Sequence, residues 1–217
     1  AKENGSSGDL EYATDAQALE NERPASFMRP MPAKEPRVVL LTGATGFLGA
    51  YILADLLDKR RNHVEKVYVH VRANDADSAQ QRLRDALAGR GLWCEAWKQE
   101  GRVQAVVGDL SKPHLGLNDE DWAHLAKEVD VIVHNGAHVD WVYPYSKLRA
   151  ANVLSTMEVM RLANEGQPKS VAFVSSTSAL DAEHYIRFSD TSAQGVLESD
   201  SLDGSASDLK SGYGQSK

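Results

Sequence analysis

Residues 37–49 read RVVLLTGATGFLG, and this run decides the fold. Arg37–Thr42 is almost continuously apolar, the pattern of a strand buried on both faces of a parallel sheet. Glycines follow at 43, 46 and 49, and from Phe47 the apolar residues take up helical spacing. Strand, glycine-rich turn and helix in that order make a dinucleotide-binding unit. Gly43 is expected to form the tight turn, Gly46 to admit a pyrophosphate, and Gly49 to let the helix pack closely. Thr45, Phe47 and Leu48 complete the loop. The phosphates would rest on the helix N-terminus, where free N–H groups and the helix dipole favour negative charge.

Downstream, the same alternation repeats. KVYVHV (66–71), RVQAVV (102–107), VDVIVH (129–134) and SVAFVS (170–175) are further apolar strands, separated by helical patterns. One helix carries Trp122 and Leu125. A longer one is expected over Tyr145–Asn164, with Leu148, Val153, Met157 and Met160 on its core stripe. Right-handed crossovers then predict an α/β fold, a doubly wound parallel sheet of Rossmann type with strand order 3-2-1-4-5.

Upstream, residues 1–36 differ in character. GSSG (5–8) precedes a short candidate helix around Asp15–Glu20, and Pro24, Pro30, Pro32 and Pro36 then deny regular structure. This part reads as a linker or docking segment, disordered at its start, with the nucleotide-binding domain over residues 37–217.

Net charge is −7 with no basic block, which excludes a nucleic-acid partner. Val38–Leu57 carries a single charge, Asp55, but its glycines break it into strand, turn and helix, so no membrane span is expected. Cys94 is the lone cysteine, so there is no intrachain disulfide, and a reducing, cytoplasmic compartment is favoured. His134 and His138 are four apart but straddle a strand end, so no helical zinc pair, and no metal, is expected. The second strand ends His70-Val71-Arg72, with no carboxylate before Asp75 to take a ribose hydroxyl. Arg72, assisted by Arg82 in the next helix, suits a 2′-phosphate and favours NADPH over NADH.

GDLSKPHLGL (108–117), HNGAHVDWVYPYSKLRAANVLST (134–156), FVSSTSALD (173–181) and SGYGQSK (211–217) together resemble the thioester reductase domains of carrier-dependent reductases. These form a branch of the extended short-chain dehydrogenase/reductase family, and the resemblance runs from about Arg37 to Lys217. It implies a catalytic Tyr-x-x-x-Lys beyond the fifth strand, whose end supplies a hydroxyl. Of the two matches, Tyr143 with Lys147 precedes that strand and is assigned a local or substrate-side role. Tyr213 with Lys217 follows it, with Thr177 at the hydroxyl position and Ser175, Ser176 and Ser178 as neighbouring alternatives. Residues four apart share a helix face, so the Lys217 cation is expected beside Tyr213, lowering the phenol pKa for proton transfer. Thr177 would donate to the oxygen that gains charge.

The resemblance further implies that Asp109 and Leu110 flank the adenine, that Asn135, Gly136 and Ala137 line the cofactor, and that Lys217 reaches the nicotinamide ribose. The implied partners are an upstream phosphopantetheinylated carrier domain and an adenylation domain of the same polypeptide, delivering an acyl thioester, with aminoadipyl favoured. Rival readings are a peptide-synthetase-like terminal reductase acting on another acyl group, a sugar-nucleotide epimerase, and a nucleotide-binding module without turnover. His138 and Asp140 depart from the family pattern near the substrate side. The family continues past the lysine with a substrate-binding portion, so the chain is expected to be C-terminally incomplete and inactive alone. The polar stretch SDSLDGSASDLKSG (199–212) predicts that the final segment is mobile or displaced from the nicotinamide site.

Overall fold

The computed structural model describes residues 6–22, 37–61, 63–192, 195–197, 199–201, 203–205 and 208–217, with side chains from Glu11 onward. The proline-rich stretch expected to lack regular structure, and the first five residues, lie outside the described residues. Five strands form one sheet in the order β3-β2-β1-β4-β5, every pairing parallel. They are β1 (Arg37–Thr42), β2 (Val64–Val71), β3 (Val103–Val107), β4 (Val131–His134) and β5 (Ser170–Phe173).

Side chains alternate across a strand, and β1 shows what that does here. Val39 and Leu41 pack against α2 (Phe47–Leu56) and α3 (Ala76–Ala88) through Leu53 and Leu83, with Trp97 of the short α4 (Glu95–Gln99) beside them. Leu40, between them, faces the other way toward Leu125 of α5 (Asp119–Glu128) and Leu162 of α7 (Ser155–Asn164). Burial on both faces is why these strands read as apolar runs. Two, β3 and β4, begin later than their apolar runs do. Asp130 is taken by the strand ends instead, its carboxylate accepting from Val38 N (2.9 Å) and its carbonyl from Ser170 N (3.0 Å). Arg102 turns its guanidinium onto the carbonyls of Leu57 and Val64. Among the described residues, no helix is long and apolar enough to cross a membrane.

The helix expected over Tyr145–Asn164 is not uniform. It runs as α6 (Tyr145–Arg149), a π-helical turn at Ala150–Leu154, and then α7. Asn152, in that turn, is 3% exposed and uses its whole amide. It accepts from His138 N (2.7 Å) and donates to His138 O (3.0 Å) and Ser216 Oγ (2.9 Å). A π turn shifts the helical register locally, which is how one side chain meets two distant loops.

The N-terminal helix also differs from expectation, running over Ser6–Glu22 (α1) rather than about 15–20. It lies on α6 and α7. The buried Asp15 carboxylate accepts from Arg149 Nη2 (2.7 Å) and from the Tyr145 hydroxyl (2.6 Å), and Arg161 Nη2 donates to Glu22 (2.9 Å). Tyr12 joins Tyr145, Val153 and Met157 in a small apolar cluster.

Candidate cofactor cleft and catalytic residues

The C-terminal ends of the parallel strands open into a cleft of about 780 Å³, a size suited to a small-molecule or cofactor site. Its floor is the glycine-rich turn between β1 and α2. Gly43 has φ +75°, the left-handed region glycine tolerates, and a Cβ there would lie 2.7 Å from the Gly136 Cα. A Cβ on Gly49 would collide with the Gly43 carbonyl. Gly49 is accordingly buried beneath the turn, whereas Gly43, Thr45, Gly46, Phe47 and Leu48 line the opening. Phe47 stands 74% exposed at the rim. Gly46 caps α2 and leaves its N-terminal N–H groups open to the cleft, the arrangement that takes a pyrophosphate. The residues present thus fit a dinucleotide.

Beneath the turn, Thr42, His134 and Ser155 form a buried polar chain. Gly136 N donates to Thr42 Oγ1 (2.8 Å), and Thr42 Oγ1 lies 2.8 Å from His134 Nδ1. His134 Nε2 lies 3.2 Å from Ser155 Oγ, whose own hydrogen goes to the Ala151 carbonyl (2.7 Å). Ser155 must therefore accept from Nε2–H, so Nδ1 accepts from the Thr42 hydroxyl and the ring is neutral. Burial, reinforced by the Lys217 and His70 charges, lowers the His134 pKa to about 3.

At one end of the cleft, Arg72 and Arg82 come together, Arg82 Nη1 donating to the Arg72 carbonyl (2.6 Å). Asp109 and Leu110 line the wall beside them. The Asp109 carboxylate is committed to Ser111, accepting from its N (2.9 Å) and hydroxyl (2.7 Å); burial opposes its ionisation, but these bonds together with the Lys112 and Arg72 charges hold its pKa below the usual carboxylate range. Asn135, Gly136 and Ala137 line the middle, with Asn135 Nδ2 donating to the Gly43 carbonyl (3.3 Å).

At the other end stand Tyr213 and Lys217. Residues 208–217 are not displaced from the cleft as expected: the last turn packs on the start of α6 and on the turn after β5, and Tyr213 and Lys217 line the cleft. Glycine at 212 makes this possible, since any Cβ there would collide with the Tyr143 carbonyl. Tyr213 is 7% exposed, its ring 5.4 Å from that of Trp141. The expected pairing within the motif also differs. The last helix is a single turn (Gly212–Gln215), so Lys217 leaves the shared face. Its ammonium donates to the Val174 carbonyl (2.9 Å) and lies over the Phe173 ring. Burial raises the Tyr213 pKa, and the hydroxyl that opposes this shift belongs to Ser176. Burial lowers that of Lys217.

Thr177 opens a short 3₁₀ turn (Thr177–Leu180), exposed and outside the cleft lining, while Ser175 lines it. The reason is local: Ser176 caps that turn by accepting from Ser178 N (3.2 Å), which swings Thr177 outward. Of the other Tyr-x-x-x-Lys match, Tyr143 packs its ring on His138, whereas Lys147 lines the cleft. His70, His138, Val139, Ala150 and Ala151 also line it without having been singled out as cofactor ligands. For His70 the position at the end of β2 was the available signal; the two half-buried alanines open the π turn, which the sequence pattern did not reveal. Among the described residues, no cluster of His, Cys, Asp and Glu is placed to hold a metal ion.

The sequence pattern of the male sterility protein family of NAD-binding domains matches residues 41–217. Over 95% of its length the chain is 50% identical to the L-2-aminoadipate reductase of Saccharomyces cerevisiae. It is 46% identical to the large subunit of that name from Candida glabrata, also over 95% of this chain. It spans 16% of the length of each of these curated relatives. Among solved structures, the terminal reductase domain of the myxalamid biosynthetic pathway matches 96% of this chain with a TM-score of 0.80 at 36% identity. A reductase domain of a nonribosomal peptide synthetase from Mycobacterium tuberculosis matches 96% with a TM-score of 0.60 at 30% identity. The chain covers 50% and 47% of those two structures. With a family match from β1 to Lys217 and a fold shared with solved reductase domains, this chain belongs to the male sterility protein family of NAD-binding domains and is homologous to fungal L-2-aminoadipate reductases.

Proposed function

We propose that this chain is the nucleotide-binding part of an NADPH-dependent reductase that converts a carrier-bound acyl thioester into an aldehyde. The favoured substrate is the 2-aminoadipyl thioester, giving the 6-semialdehyde. A carrier domain bearing phosphopantetheine and an adenylation domain on the same polypeptide would deliver it, in the cytoplasm. One observation carries the reading: Tyr213 and Lys217 line the same cleft as the glycine-rich turn and the Arg72–Arg82 pair. The α2 N-terminus would hold the pyrophosphate, the two arginines the 2′-phosphate, Asp109 and Leu110 the adenine, and Lys217 the nicotinamide ribose. NADPH, when bound, supplies hydride to the thioester carbonyl carbon.

Tyr213, kept protonated by burial, donates its proton to the carbonyl oxygen as charge develops there. A hydroxyl from the end of β5, Thr177 or the Ser176 that faces Tyr213 here, donates a second hydrogen bond. The resulting hemithioacetal releases the thiol of the carrier arm and leaves the aldehyde. Likeness to the myxalamid terminal reductase domain supports the second reading, a terminal reductase acting on a different acyl group.

The test is single turnover of the full-length protein with NADPH and an acyl-phosphopantetheine thioester, followed by nicotinamide absorbance. Tyr213→Phe should slow reduction about 100-fold or more while NADPH affinity holds, and Tyr143→Phe should leave the rate intact. Residues 1–217 alone should bind NADPH without reducing the thioester. Equal rates for Tyr213→Phe and the parent would overturn the assignment.

A further inference from the structure

The cleft contains a cation that the dinucleotide does not explain. Arg72, Arg82, Lys147 and Lys217 line it against one carboxylate, Asp109, in a chain whose net charge is −7. A positive cleft in an acidic protein concentrates anions at its mouth. Two of the four cations are engaged, Arg82 donating to the Arg72 carbonyl and the Lys217 ammonium to the Val174 carbonyl. Arg72 stands at the Asp109 end of the cleft, where the proposed 2′-phosphate would take it. Lys147 pairs with no carboxylate among the described residues.

Its position is set firmly. Lys147 N donates to the Pro144 carbonyl (3.0 Å), and its neighbours Tyr145 and Leu148 are buried. Tyr145 and Arg149 are both tied to Asp15 of α1. The sheet order separates the two ends of the cleft. Arg72 and Asp109 follow β2 and β3, whereas α6 follows β4 and abuts the segment that carries Tyr213. Lys147 therefore shares its end of the cleft with the proposed proton donor and not with the 2′-phosphate site.

We propose that the Lys147 ammonium receives a carboxylate at the far end of the acyl chain, making this a site selective for acyl thioesters that carry one. The inference rests on the thioester reading above. A phosphopantetheinyl thioester offers two anions. The arm's phosphate lies many bonds from the sulfur, while an acyl carboxylate lies only a few bonds from the reacting carbon. A residue in the same cleft wall as Tyr213 is matched to the second. The far end of a 2-aminoadipyl group carries such a carboxylate.

Binding of adipoyl-pantetheine and hexanoyl-pantetheine to the full-length protein, measured by titration calorimetry without NADPH, reads this directly. The parent should prefer the adipoyl thioester. Lys147→Met should weaken adipoyl binding roughly 10–100-fold, the scale of a lost charge-assisted hydrogen bond, and leave hexanoyl binding unchanged. Unchanged hexanoyl binding also reports an intact fold, and Lys147→Arg should restore the preference. Equal losses for both thioesters, or an unaltered preference, would overturn the proposal. So would a loss seen with adipoyl-phosphopantetheine, titrated in parallel, and not with adipoyl-pantetheine, which would assign Lys147 to the phosphate. A parent that shows the preference but forms no aldehyde with NADPH would refute the reductase reading and leave the carboxylate site standing.

Discussion

Acid should destabilise this protein through His134 in particular. The ring is 1% exposed and held neutral, with the Thr42 hydroxyl donating to Nδ1 and Nε2–H donating to Ser155. A second proton on Nδ1 would meet a donor, inside a site with no water-facing surface. The folded pKa is lowered to about 3, whereas an unfolded histidine titrates near 6.5. Between those values the unfolded chain binds the extra proton and the folded one does not. The stability due to the neutral ring is therefore complete above about pH 6.5 and is lost as pH falls toward 3. At pH 5 the unfolded state has gained about 1.5 pH units of protonation, or about 2 kcal/mol, a sizeable part of a typical domain's 5–15 kcal/mol. Urea unfolding of the chain at pH 7 and pH 5 should show this loss, and His134→Asn should lack about 2 kcal/mol of it. The parent's His134 Cε1 proton resonance, followed by NMR, should not titrate above pH 5. A midpoint near 6.5, or identical pH dependence in parent and variant, would refute the assigned network.

Two further perturbations follow from single contacts. Arg72→Asp should weaken NADPH binding by about 1–3 kcal/mol and NADH far less, read by nicotinamide fluorescence titration; equal losses would show that Arg72 does not read the 2′-phosphate. Asp15→Asn leaves the Arg149 guanidinium only the longer ion pair with Glu11 (3.7 Å) and should cost about 1.5–3 kcal/mol in urea unfolding, with α1 becoming open to limited proteolysis. Unchanged cleavage of α1 would show that the Asp15–Arg149 pair does not hold it.

Local pattern determined a great deal. Apolar runs of strand length, each followed by helical spacing, are enough to order five parallel strands, because a buried parallel strand must be apolar on both faces and its crossover must be right-handed. The glycine spacing was legible for a similar reason: at 43 and 49 backbone conformation and close approach admit no side chain, and at 46 a Cβ would press on the Gly43 carbonyl. The preference for Tyr213 over Tyr143 came instead from the family resemblance, which places the pair beyond β5. Contacts between distant segments decided the rest. Helix α1 has no single apolar face, and its anchors lie some 130 residues away in Tyr145 and Arg149. The π turn exists because Asn152 satisfies His138 and Ser216 at once, which no periodicity announces. Tyr213 and Lys217 share a motif, yet their surroundings come from Ser176 and Val174, on the strand end they dock against. Periodicity records what each residue needs from its own element; a cleft is made where the ends of several elements meet, and its hydrogen bonds and charges belong to that meeting.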